Sequence, residues 1–178
     1  MTTVDADRMA ALETRLAGVE ERMRLAEDHL TLWRIVASYG LAVDSGEADA
    51  TAEIWTEDGL YDVDPVLLEG RKALRDMVSS DFHQGLIAGG VAHLMGVPHI
   101  VIDGDHAVVT NYSQVAVREQ DQDAHRLWRT STNRWEFART AEGWQVTRRN
   151  NRLLDGRPEA PELLRLGLSL CSEPTRTP

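Results

Sequence analysis

The hydrophobic period of this sequence changes at Val91, and that change limits the folds open to the chain more than any single motif. Before it, the longest apolar patterns step by three and four residues, the period of a helix; after it, apolar and polar residues alternate, the period of a strand. Helices followed by a run of antiparallel strands predict an α+β fold, with helices on one face of a curved sheet and a cavity between the two. At 178 residues, 42% hydrophobic and 27% charged, the chain suffices for one domain enclosing both a core and a cavity.

Within the helical half, residues 32–63 carry the polar groups of most interest. Leu32, Ile35, Val36, Tyr39 and Val43 recur at helical spacing, which puts Tyr39 on the apolar face, and Asp44 follows at its end. A carboxylate in the last turn of a helix meets the negative end of the macrodipole and loses stability there unless a histidine or arginine comes to it. Asp44 is therefore either a solvated residue leading into Ser45 and a helix stop at Gly46, or one half of a buried pair. Upstream, Leu12, Leu16, Val19, Met23, Ala26, Leu30 and Trp33 alternate steps of four and three, a seam of about three heptads beside a charged outer face that includes Glu13, Arg15, Glu20 and Arg22. Such a seam lies either on its own domain or against another subunit.

A net charge of −10 argues against a phosphate-binding surface and hence against nucleic acid. Small apolar molecules or other protein are the expected partners. There is neither an apolar run of membrane-spanning length nor a charged-then-apolar secretory start, so no membrane association is expected and the cytoplasm is the expected location. The lone cysteine, Cys171, lies in the tail, which turns attention to carboxylates, imidazoles and hydroxyls as catalytic groups.

Past Gly46, Asp49 is expected to cap a short helix through Trp55, and residues 57–59 to turn the chain into a strand on which Tyr61 and Val63 share a face. A second extended piece through Leu68 ends at Gly70. Residues 71–80 read as a helix with Leu74, Met77 and Val78 inward, and residues 81–90 as a glycine-rich loop. Strands are expected over 91–95, 99–102 and 107–117, with a hairpin turn at Asp103-Gly104. On the next strand, Leu127, Arg129, Ser131, Asn133, Trp135 and Phe137 share a face that is apolar at its ends and polar in the middle, as a mostly apolar pocket with a few directed hydrogen bonds requires. Ser131 and Asn133 either point into such a pocket or satisfy neighbouring backbone. On the last strand, Trp144 and Val146 lead on one face to Arg148, Asn150 and Arg152; Arg148 reads as solvent-facing, whereas Arg152 is followed by Leu153-Leu154. A leucine-rich segment, 163–170, can pack on the domain, and a loose end begins at Ser172.

The six histidines show no metal-ligand spacing, so no metal site is expected. His93 stands among apolar residues in VAHLMG, either as a hydrogen-bonded core residue or as a catalytic group. Tyr39-x₄-Asp44, then WTEDGLY over 55–61, AHLMG around His93, IDGDHA over 102–107 and RNNRLLDG over 149–156 follow an order that resembles the SnoaL-like branch of the NTF2-like superfamily. The resemblance covers roughly residues 28–156. Within that branch the pattern is most similar to the scytalone dehydratase and bile acid 7α-dehydratase group.

The resemblance implies a cone-shaped α+β barrel working without metal or cofactor, commonly as a homotrimer. A dimer or trimer is thus expected, as one domain with a helical extension over about 1–28, a core over 29–156 and a tail over 157–178. It also implies an Asp-His proton-transfer pair at Asp44 and His93, substrate-facing tyrosines at Tyr39 and Tyr61, a Ser-x-Asn at Ser131 and Asn133, and a pocket arginine near Arg152. The expected activity is that of a lyase or isomerase acting by general acid-base chemistry on a hydroxylated, mostly apolar cyclic compound. Polyketide cyclisation, or binding without turnover, uses the same parts.

Overall fold

The structure, a computed structural model, describes residues 3–121 and 123–169. A single helix α1, Thr3–Ser45, joins the heptad segment to the Tyr39 segment without a break. It stops where expected: Gly46 has φ +76°, the Gly46 N–H donates to the Val43 carbonyl and the Glu47 N–H to the Ala42 carbonyl, which satisfies two of the carbonyls in the last turn. A short helix α2, Ala48–Glu53, follows. Asp49 does not cap it. It sits inside the first turn and pairs with Arg75 at 2.6 Å, while Trp55 already belongs to the first strand.

Strand β1, Trp55–Val63, runs straight through residues 57–59, where a turn was expected. The extra residues are taken up as an irregularity in pairing between Trp55 and Leu60. β2, Val66–Glu69, folds back on β1, and α3, Gly70–Ser79, buries Leu74 and Val78. Residues 81–90 are not a loop: Asp81–Gly89 form helix α4. Its glycines mislead, because Ser80 caps it by accepting from the His83 N–H, and only Gly90, at φ +89°, leaves helical space.

The remaining strands are β3 (Val91–Met95), β4 (His99–Asp103), β5 (His106–Glu119), β6 (Ala124–Thr140) and β7 (Gly143–Leu153). They form with the first two a curved sheet of order β2-β1-β7-β6-β5-β3, with β4 also on β5. Every pairing is antiparallel except β1 with β7. The core fills the space between this sheet, α3 and the C-terminal third of α1. Leu32, Val36, Val43, Trp55, Trp135 and Val146 are at most 1% exposed there. A buried carboxylate, Asp28, ties α1 to the sheet by accepting from Arg139 Nη2 at 2.6 Å and Trp144 Nε1 at 2.9 Å.

Helix α5, Glu159–Ser169, packs on β5, β6 and β7 through Ala160 and Gly167, while its Leu166 and Leu168 stay exposed. Cys171 and the stretch from Ser172 lie outside the described residues. No helix of the described residues is long and apolar enough to cross a membrane.

Candidate active site

A cavity of about 340 Å³ opens between the sheet, α1 and α4. Tyr39, Tyr61, His83, His93, Ser131 and Arg149 are among its lining residues. At one wall, Asp44 grips His93 twice. Its Oδ2 accepts the His93 backbone N–H at 2.6 Å and its Oδ1 lies 2.6 Å from the imidazole Nδ1. The backbone bond fixes the carboxylate to β3, so the second oxygen meets the ring in one orientation. A carboxylate only accepts, so Nδ1 carries a proton, and in the neutral tautomer this leaves the lone pair on Nε2. Asp44 at the end of α1 thereby finds a hydrogen-bond donor on each of its two oxygens.

Close approach of α1 to β3 makes this contact possible. Gly40 lies one turn before Asp44 and faces the His93 carbonyl, where a Cβ would stand 2.3 Å from the oxygen. Only glycine lets the helix come this near.

The opposite wall holds a cation that sequence parity put elsewhere. Arg149 is 2% exposed, and its guanidinium carbon lies 4.1 Å from the Tyr39 ring centre, 4.5 Å from Tyr61 and 3.9 Å from Trp135. Its Nε and Nη2 donate to Asn133 Oδ1 at 3.1 and 2.8 Å, and Asn151 Nδ2 donates to the same oxygen at 2.7 Å. Arg149 Nη1 is buried without a hydrogen-bond partner among the described residues. Three aromatic faces stabilise the charge of this cavity-lining arginine. The Tyr39 hydroxyl is also held in its donor form: burial, with Tyr61 beside it, raises its pKa well above the ordinary phenol value, and the nearby Arg149 offsets this only in part.

Arg152 does not reach the cavity. It pairs with Asp62 through Nη2 at 2.6 Å and holds that carboxyl below its usual range. The reason is one residue of extra chain. Phe137 pairs with Val146 but Glu136 with Arg148, which leaves Thr147 as a bulge and reverses the faces of all that follows. Arg149 and Asn151 therefore turn inward where Arg148, Asn150 and Arg152 were expected to share the Val146 face.

Asn133 and Trp135 are likewise corrected. Both are fully buried behind the cavity wall rather than on it. Asn133 ties Arg149 and Asn151 to Ser113 Oγ, to which its Nδ2 donates at 2.9 Å. Trp135 donates from Nε1 to Asn111 at 3.0 Å and offers its face to Arg149. Ser131 does line the cavity and accepts from Arg129 Nε at 3.2 Å.

Sequence reasoning missed His83, because its segment read as loop. Its Nε2 lies 2.8 Å from the Val43 carbonyl and its ring stacks 6.1 Å from that of His93. The Ser80 capping signal could have revealed it.

A family model of the SnoaL-like domain matches residues 24–150. An NTF2-like protein with a cystatin-like fold from Novosphingobium aromaticivorans is 37% identical, with 84% of this chain and 96% of that one covered, at a TM-score of 0.81. ActVI-ORFA from Streptomyces coelicolor, at 18% identity, TM-score 0.62 and coverage of 75% and 97%, shares the fold. So does a protein from Catenulispora acidiphila, at 19% identity, TM-score 0.65 and coverage of 78% and 99%. No curated protein matches the sequence. The extent of the family match, together with the cone of sheet and helices around one cavity, makes this chain a member of the SnoaL-like family, with the NTF2-like fold.

Proposed function

We propose that this protein is a cofactor-independent lyase or isomerase acting on a hydroxylated, mostly apolar cyclic ketone of polyketide, steroid or terpenoid type. The observation that carries this reading is the Asp44–His93 pair, held by two contacts of 2.6 Å on a cavity that Tyr39 and Arg149 also line. Neutral His93 takes a proton through Nε2 from the carbon beside the substrate carbonyl, and Asp44 stabilises the imidazolium that forms. The electron pair moves onto the carbonyl oxygen, where Arg149 Nη1 and the Tyr39 hydroxyl hold the enolate. As the enolate collapses, the carbon–oxygen bond at the neighbouring position breaks and the imidazolium returns its proton to the departing hydroxyl. The products are an unsaturated ketone and water. Without a leaving group the same proton is returned to a different carbon, which is isomerisation.

In this reading Tyr61 and Ser131 contact the substrate, while Asn133 and Trp135 act through Arg149. The working form is a homo-oligomer in the cytoplasm.

The test is turnover by the native protein, Asp44→Asn, His93→Gln and the double variant, on a panel of cyclic β-hydroxyketones. Each single change should lower the rate by about 10²–10⁴-fold. The double variant should lose little beyond the worse single one, because the two groups act as a unit. Full turnover in either single variant would return the pair to a structural role, and ligand binding without any turnover would favour a carrier.

A further inference from the structure

The N-terminal half of α1 is a long amphipathic helix whose apolar stripe none of the described residues covers. Met9, Leu12, Leu16, Val19, Met23, Leu30 and Trp33 are each between 47 and 62% exposed. With Ala26 they form an unbroken alternation of three and four, which puts Met9, Leu16, Met23 and Leu30 at the a positions and Leu12, Val19, Ala26 and Trp33 at the d positions of a heptad. The domain grips α1 from another side. Asp28, Leu32, Ile35, Val36 and Tyr39, which face the sheet, occupy c, f and g positions. The seam thus points away from the cavity and the core. A helix of this length gains little stability without burying such a stripe.

The charges flanking the seam say what covers it. The g positions are Arg8, Arg15, Arg22 and His29; the e positions are Glu13, Glu20, Glu27 and Arg34. Among the described residues none of Arg8, Glu13, Arg15, Glu20, Arg22 and Glu27 forms an ion pair within its own chain. In a parallel pair of such helices each g residue meets the e residue of the following heptad on its partner. Arg8 then faces Glu13, Arg15 faces Glu20 and Arg22 faces Glu27 of the other copy, on both sides of the seam. Only the His29–Arg34 pair is not attractive. In an antiparallel pair g would meet g and e would meet e, setting arginine against arginine and glutamate against glutamate. The core has neither isoleucine at both positions nor leucine at a with isoleucine at d, the patterns that favour higher order, and Ala26 allows the helices to approach closely.

We propose that α1 is a dimerisation arm: two copies of this chain join through residues 8–34 as a parallel, in-register, two-stranded coiled coil. The symmetry axis runs along the coil, the interface is closed, and both cavities stay open.

The test uses the full chain. Light scattering at micromolar concentration should give about twice the 19.9 kDa of one chain. Leu16→Glu with Met23→Glu should reduce this to a single chain while near-ultraviolet circular dichroism retains the folded domain signal, because both positions lie outside the core. Glu13→Arg, Glu20→Arg and Glu27→Arg together should abolish self-association. Mixing that variant with a chain carrying Arg8→Glu, Arg15→Glu and Arg22→Glu should restore a one-to-one dimer. In a Cys171→Ser background, Leu12→Cys should oxidise rapidly to a disulfide between copies, which only a parallel arrangement in register allows. A monomeric native protein, a three-chain mass, an oligomer indifferent to the Leu16 and Met23 changes, or failure of the Leu12 cross-link would each overturn the proposal.

Discussion

Gly40 and the carbonyl of His93 are so close that a single added methyl group would stand 2.3 Å from the oxygen. This contact sets the distance between α1 and β3, and so sets the Asp44–His93 hydrogen bonds one turn further along the helix. Gly40→Ala should push the helix outward, with a stability cost of about 1–3 kcal/mol typical of overpacking and a drop in turnover. Gly18→Ala is the matched control. It lies on the same helix with nothing within 4 Å of the added carbon, so it should stabilise by up to about 1 kcal/mol through helix propensity alone. Thermal unfolding and rate measured on both variants separate the site effect from the helix effect.

Asp28 is the second fixed point of α1, and it makes a prediction about acid. Burial raises its pKa, but the bonds from Arg139 and Trp144 outweigh this and leave the folded-state value below the ordinary carboxylate range. A group whose folded pKa is depressed contributes stability above its unfolded value, and that contribution is lost as pH falls through the folded one. Asp28→Asn should therefore cost about 1–3 kcal/mol at neutral pH and flatten the acid limb of the stability profile. A variant that loses as much stability at low pH as at neutral pH would contradict the assignment.

How far the sequence alone reaches can be judged residue by residue. The period change at Val91, the helix stop at Gly46 and the apolar face carrying Tyr39 depend on local spacing, and the structure has them where the spacing puts them. Family resemblance pointed to Asp44 and His93, whose meeting spans 49 residues of chain and leaves no local trace. What failed was parity. A bulge at Thr147 has no composition signature, yet it moves Arg149 and Asn151 into the cavity and Arg152 out of it. Glycines at 85, 89 and 90 outweighed the Ser80 cap, so α4 and His83 went unseen. The pull of Arg149 on three aromatic rings from three different elements is tertiary, and no window of sequence contains it.

The two arginines can be told apart by experiment. Arg149→Met removes the donor at the cavity wall and should weaken binding of 1-naphthol, a planar mimic of an enolised cyclic ketone, by about tenfold or more, the worth of a hydrogen bond from a charged group. Arg149→Lys should not rescue it, since a lysine cannot reproduce the flat cation over three rings and the fork on Asn133. Arg152→Gln removes a partly exposed ion pair with Asp62 and should cost no more than about 1 kcal/mol of stability, with binding unchanged. Titration calorimetry on the three variants decides the matter; weaker naphthol binding in Arg152→Gln alone would reverse the assignment.

Tyr39 offers the last test, through the shape of a rate profile rather than its height. Burial, with Tyr61 adjacent, holds the phenol protonated well beyond its ordinary range. If its role is to donate to the enolate oxygen, the alkaline limb of the pH–rate profile cannot come from Tyr39. Tyr39→Phe should then lower kcat/KM, by about 10–10²-fold for one lost donor at a developing oxyanion while Arg149 remains, and leave the midpoints of the profile where they are. His93→Gln should instead abolish the limb set by the base. Measuring kcat/KM from acid to alkaline pH for the native protein and both variants distinguishes the two roles. A midpoint that moves in Tyr39→Phe would mean that the phenol itself titrates in the working range, and the donor role assigned to it would be wrong.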